Sequence, residues 1–339
     1  MLDVVPATPN EQQRPTVGAS EIATESQVTI VGLHRPSAID LYRGASFLAE
    51  HLPTQVTHTA VKVGGYAAAS LAGDRRLIVE RNLERAGVEL SSEADRRAAI
   101  GRYLASYGRY YVDSFRLPSL SPKEVDDGFR HVGFEHITKA LEGDIGPLLI
   151  LPHLGGWEWA GFWLSTQHQL DVSVVVEALD PPEVFDWFKS FREAMGHRVI
   201  TSDGRTGPEV VRSLNEKRVT CLMADRVIGD VSGVPVEFFG ERTLLPAGPA
   251  TLALRTGAPL IPTAVYFEGD RHFAHAMPPV VAVREGKFRH DVHRVTQLMA
   301  NDLEKLIRAA PEQWHLLQPN WPSDFTALGR AVPERYADL

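Results

Sequence analysis

The chain has 339 residues, 44% hydrophobic and 23% charged, with a formal net charge of −8. That length suits one large globular domain or two small ones, and the acidic balance excludes general attraction to nucleic acid or to an anionic bilayer unless a local basic patch supplies it. The lone cysteine, Cys221, excludes a disulfide framework and a Cys-rich metal site, and no run approaches the ~18 apolar residues of a membrane-spanning helix.

Residues 1–27 are polar, with Glu11, Gln12, Gln13, Glu21 and Glu25. They lack the basic and apolar regions of a signal peptide and read as a disordered tail. Residues 28–330 read as one domain, mainly helical over 28–130 and α/β over 131–330, with a second tail at 331–339. Ser37 is placed to cap a helix through "AIDLYRGASFLAEHL",. Pro53 opens "TQVTHTAVKVGGYAAASLAG", apolar on one side and small or weakly polar on the other. "DRRLIVERNLERAGV" follows, interleaving Arg75, Arg76, Arg81 and Arg85 with Leu77, Ile78, Val79 and Leu83. Ser91 or Ser92, with acids soon after, begins a capping box for "EADRRAAIGRYLASYGRYYVDSFRL",.

From about 147 the texture changes. Strands are expected at 147–152, 171–178, 197–201, 219–224, 235–239 and 259–267. Helices are expected at 157–167, 182–195, 207–217, 248–256 and 291–309. Such alternation predicts an α/β sheet covered by helices, whose chemistry gathers at strand C-terminal ends.

One such end is "LPHLGGWEW", residues 151–159. His153 leaves an apolar strand beside Pro152, a place where a histidine is as readily a plain loop residue. Glu158 comes five positions later, not on the face that two helical zinc ligands four apart would share. The pair makes chemical sense only if His153 precedes the helix in a turn made by Gly155 and Gly156. The N–H groups of Gly155, Gly156 and Trp157 would then face the site, giving a base, a carboxylate and an oxyanion hole. No Gly-x-Ser-x-Gly elbow occurs, so His153 would act directly on a substrate hydroxyl. His168, His197, His272, His275 and His290 show no ligand spacing, and no metal is expected.

These residues resemble a known family. His-x4-Glu after an apolar strand is similar to the His-x4-Asp/Glu block of glycerolipid-type acyltransferases. The longer "LPHLGGWEWAG" resembles the branch holding lipid A late acyltransferases and phosphatidylinositol mannoside acyltransferases. "FDWFKSFREAMGHRVI" resembles a second block with Arg192 at its basic position, and 221–267 resembles the third and fourth. "APEQWHLLQPNWPSD" is similar to the C-terminal end, while "RYYVDSFRLPSLSPKEV" and "RRLIVERNLERAGVEL" look most like the mannoside enzymes. The likeness runs over roughly 36–325.

The resemblance implies a central mixed sheet covered by helices with an N-terminal helical region. It implies transfer of a fatty acyl chain, palmitoyl in the expected form, from acyl-CoA to a mannose hydroxyl, O-6, of phosphatidylinositol mannoside or a related glycolipid. No cofactor is expected beyond acyl-CoA as co-substrate. It also implies a peripheral enzyme on the cytoplasmic face of the plasma membrane, with 54–86 as the membrane-facing surface. His153 is then the general base. Either Glu158 orients it, or Glu158 pairs with Arg192 and another acid does so. Relatives often read Asp-Arg-acid where this chain has Asp225-Arg226-Val227; if the third residue is the orienting one, Glu237 or Glu177 must serve instead. Asp225 and Arg226 would contact the acceptor's head group or support the site.

Overall fold

The computed structural model describes residues 37–70, 73–177, 182–229, 231–337 and 339; the tail expected over 1–27 lies outside them. Four helices come first: α1 (Ala38–His51), α2 (Thr54–Ala68), α3 (Asp74–Arg85) and α4 (Glu93–Arg116). The expected caps form. Ser37 and Asp40 exchange side-chain and backbone hydrogen bonds at the start of α1, and Ser92 and Asp95 do so at the start of α4. Small residues let α2 lie close against α4: a Cβ on Gly65 would stand 2.5 Å from the backbone nitrogen of Ala105.

Next come α5 (Pro122–Asp127), β1 (Phe129–Val132), α6 (Phe134–Leu141), β2 (Leu148–Leu151), α7 (Trp157–Gln167), β3 (Val172–Val176), α8 (Pro182–Ala194) and β4 (Arg198–Thr201). The remainder is α9 (Thr206–Asn215), β5 (Val219–Met223), a hairpin of β6 (Gly233–Phe238) and β7 (Glu241–Pro246), α10 (Gly248–Thr256), β8 (Leu260–Glu268), β9 (Arg271–Ala276), α11 (Phe288–Arg308) and α12 (Pro322–Ala327). The main sheet runs β1-β9-β8-β2-β5-β3-β4. Strands β8, β2, β5, β3 and β4 are mutually parallel. β9 runs antiparallel to β8 and carries β1 parallel to itself, so the sheet is mixed, as expected.

Central β2 is buried along its whole length. Alternate side chains of a strand face opposite sides, and both sides are covered here. Leu148 and Ile150 enter one core with α10 and α11, and Leu149 and Leu151 enter another with Trp163 and Leu164 of α7. Helices α7 and α10 have the expected bounds, and the other expected strands and helices of the α/β part lie within a few residues of theirs. Strands β1, β7 and β9 were not anticipated. β1 is four residues with mostly exposed side chains, β7 ends on Pro246, and β9 reads Arg-His-Phe-Ala-His-Ala, without β-branched residues.

Three of the four arginines of α3, within the 54–86 segment expected to face a membrane, are ion-paired. Arg76 pairs with Glu80 and Glu93 at 2.9 and 2.5 Å. Arg81 and Arg85 each reach the buried carboxylate of Asp324 at 2.7 Å, and Arg85 lies 4.0 Å over the Trp321 ring. They tie α3 to the C-terminal segment. Arg75 alone of the four is exposed and free of these pairs.

Candidate active site

Parallel pairing sets the central contact. β2 and β5 are neighbours, with Leu151 opposite Met223. Two residues beyond each stand His153 and Asp225. His153 Nδ1 donates to Asp225 Oδ1 at 2.6 Å, and the His153 backbone N–H donates to Oδ2 at 2.9 Å. Trp314 Nε1–H donates to the same Oδ2 at 2.8 Å, and Asn320 Nδ2 donates to the Asp225 carbonyl at 3.2 Å. Asp225 is 0% exposed. Burial alone would raise its pKa, but the His153 charge and hydrogen bond, with Arg226 and the Trp314 donor, hold it well below the ordinary carboxylate range,. An ionised, acceptor-only carboxylate on Nδ1 fixes the tautomer with its proton on Nδ1. It leaves the Nε2 lone pair free, and Nε2 has no partner among the described residues.

The acid that orients His153 is therefore Asp225, not Glu158, Glu177 or Glu237. Glu158 turns away. It accepts Arg192 Nη2–H at 2.5 Å, Arg192 Nε–H at 3.1 Å and the Tyr110 hydroxyl at 3.2 Å. This buried pair joins α7, α8 and α4. Burial opposes its ionisation, yet the Arg192 charge keeps Glu158 below its usual pKa. Breaking a buried pair leaves an uncompensated charge, so Glu158→Gln should cost on the order of 3 kcal/mol of stability. Chemical denaturation will read that loss, while the per-molecule rate of the folded fraction should change less. Glu237 lies on the exposed side of β6, its backbone bonded to Gln297 at 2.8 Å on each side, and it does not line the site. Glu177 stands 3.9 Å from Arg226, and both line the cavity described below. One buried Nε of Arg226 has no hydrogen-bond partner among the described residues.

The two glycines serve close packing more than anion binding. Gly155 adopts φ +61°, and a Cβ there would lie 1.9 Å from the Val265 carbonyl oxygen. Its N–H donates to Gln313 O at 2.9 Å, and that of Gly156 donates to Val265 O at 3.0 Å. Two of the three expected oxyanion donors are thus engaged. The Trp157 and Glu158 N–H groups open α7, and the first N–H groups of a helix have no partner within it.

His153, 16% exposed, opens on a cavity of about 1590 Å³. Leu149, Leu151, Val174, Val176, Met223 and Trp163 give it apolar lining, and Arg226 and Arg255 line it too. Trp157 lines it while stacking on Tyr110 at 4.1 Å, and Trp159 packs away from it on His272, also at 4.1 Å. Cys221 is another lining residue, its thiol pushed up to about 12 by burial.

His315 was not foreseen. Its backbone N–H donates to His153 O at 2.6 Å, and its Nε2 meets the Ser106 hydroxyl at 3.0 Å. Burial, aided by the nearby His153 charge, depresses it to about 3. The folded protein therefore holds His315 neutral, while the unfolded chain protonates it below about pH 6.5. The sign follows from linkage: this stability is fully present above about pH 6.5 and is lost as pH falls toward 3, at about 1.4 kcal/mol per pH unit. Buried His197 and His272, also lowered by burial, act in the same direction. Urea midpoints measured across that range should fall steeply for the parent and less so for His315→Leu.

The sequence also resembles those of known proteins. The chain is 39% identical over 233 residues to the phosphatidylinositol mannoside acyltransferases of two Mycobacterium tuberculosis strains, covering 67% of this chain and 72% of theirs. It is 37% identical over 231 residues to the protein of that name from Mycolicibacterium smegmatis, covering 67% of this chain and 74% of that one. The sequence profile described as bacterial lipid A biosynthesis acyltransferase matches residues 33–323, a span holding every residue of the His153 site described above. A histidine held by a buried aspartate, a cavity beside it and that match together make the chain an acyltransferase belonging to the bacterial lipid A biosynthesis acyltransferase family.

Proposed function

We propose that the protein moves a long acyl chain from acyl-CoA to a mannose hydroxyl of phosphatidylinositol mannoside, with palmitoyl and O-6 as the preferred chain and position. The observation that carries the reading is the unpartnered Nε2 of His153, held by Asp225 and opening on the cavity. The acyl chain would lie along the apolar lining, with anionic groups of donor or acceptor toward Arg226 and Arg255. A sugar hydroxyl is too weak an acid to ionise at neutral pH. Nε2 takes its proton as the oxygen attacks the thioester carbonyl, a contribution of about 10²–10⁴-fold. The Trp157 and Glu158 N–H groups receive the oxyanion at the N-terminus of α7. Collapse expels the CoA thiolate, the imidazolium returns its proton to that sulfur, and no acyl-enzyme forms. Mass spectrometry of products from purified protein, palmitoyl-CoA and a panel of glycolipids tests this. Acylated mannoside supports it. Free fatty acid alone would show a hydrolase, and acylation of another glycolipid alone would move the acceptor.

The lipid acceptor calls for a membrane face, proposed here on the cytoplasmic side of the plasma membrane with the protein bound peripherally. Among the described residues no helix is long and apolar enough to cross a bilayer. Helices α1 and α2 expose Leu41, Phe47, Leu48, Val56 and Val63, each at least half exposed, and the cavity reaches Tyr42 of α1. We place the docking surface there, not on the ion-paired arginines of α3. Phe47→Asp with Val63→Asp should lower vesicle affinity on the order of 100-fold, from two apolar insertions lost. Binding should be only weakly salt-sensitive in a sedimentation assay. Unchanged binding of the double variant would place the surface elsewhere.

A further inference from the structure

The mechanism uses His153 and Asp225, but the Asp225 carboxylate is gripped from its far side by a residue outside the cavity. Trp314 is 0% exposed, and its indole N–H donates to Asp225 Oδ2 at 2.8 Å. The segment around it is stitched to the same loop. Leu154 and Trp314 form a bridge, the Gly155 N–H donates to Gln313 O, and the His315 N–H donates to His153 O. Gln313 in turn exchanges side-chain bonds with the Phe267 backbone at 2.7 and 3.0 Å.

We propose that Trp314 is a positioning residue of acyl transfer, whose indole N–H fixes the Asp225 carboxylate in rotation and draws off part of its charge from His153. Two donors on Oδ2, the His153 N–H and the indole, leave Oδ1 as the oxygen that meets Nδ1. Removing the indole leaves the His153 N–H as the one remaining donor on Oδ2 among the described residues and loosens the carboxylate's orientation. It also leaves more of the negative charge on the imidazolium, which then persists to higher pH. Because Trp314 does not line the cavity, substrate affinity should be untouched.

The inference rests on His153 acting as the base, and its test is Trp314→Phe, which keeps an aromatic ring and deletes the N–H. Initial rates with acyl-CoA and mannoside acceptor across pH should show kcat down roughly 10–100-fold, KM for acyl-CoA within twofold, and the acid limb of kcat/KM moved up by half a pH unit or more. Phe239→Leu is the packing control, since Phe239 faces the Trp314 ring at 5.3 Å without touching the N–H; it should lower stability and leave the limb in place. An unmoved limb in Trp314→Phe, or the same shift in Phe239→Leu, overturns the proposal. A readout without turnover separates it from the assignment of the reaction. The Trp314 indole N–H resonance should move upfield in Asp225→Asn, where the acceptor loses its charge, and an unmoved resonance overturns the proposal. That readout also serves if Trp314→Phe does not fold.

Discussion

Asp225→Asn should lower kcat about 10³–10⁴-fold with little change in KM, more than any substitution at Glu158. The argument is one of donors and acceptors. Asp225 Oδ2 accepts two N–H groups, from the His153 backbone and from Trp314. An asparagine must place its carbonyl oxygen there, because an NH₂ would face two donors. Its NH₂ then points at His153 Nδ1 and donates to it. Nδ1 becomes an acceptor, the ring proton moves to Nε2, and the nitrogen facing the cavity can no longer take a proton from the acceptor. The wrong tautomer in a comparable triad costs about 10⁴. The fold should survive, because the side-chain shape is kept and the Asn320 bond goes to the backbone carbonyl. Steady-state rates beside a thermal melt check this. A rate within tenfold of the parent would mean that Asp225 does not set the tautomer.

His153→Ala should remove transfer to the detection limit, a loss of at least 10²–10⁴-fold. It should not unfold the chain. The side chain stands at the cavity, and Asp225 keeps two donors, the residue-153 backbone N–H and the Trp314 indole. A melting temperature near the parent's with no acylated product is the expected result. Turnover near the parental rate would remove the base from the mechanism.

Much of this was legible in the sequence. The apolar run before Pro152 marked β2, and Gly155-Gly156 marked the turn before α7, whose bounds came out as expected. Alternating strands and helices gave the covered sheet. The partner of His153 was not legible: Asp225 was expected only to contact the acceptor's head group or support the site, and of the two arrangements open to Glu158 the structure has the pair with Arg192. Glu158 is near in sequence but committed to Arg192. Asp225 is 72 positions away and becomes a neighbour only because β5 pairs beside β2. A usable signal did exist: both residues stand two positions past an apolar strand, which in a parallel sheet puts both at one edge. Which strands are neighbours is decided by the whole topology. The arginines of α3 misled for a similar reason. Arg81 and Arg85 find Asp324 and Glu241 from far along the chain, so much of a basic stripe in the sequence became a set of internal ties.

The stitching of residues 313–320 onto the His153 loop has a bearing on synthesis. A chain made from its N-terminus has both His153 and Asp225 outside the ribosome well before Trp314 and Asn320 follow. At about 5–20 residues per second the gap lasts on the order of 5–20 s. During it, Asp225 lacks the indole donor and the 153–155 backbone lacks its partners at Gln313 and His315. A nascent chain thus carries His153 and Asp225 without these contacts. The surroundings of His153 are therefore not assembled until residues 313–320 have closed over Asp225.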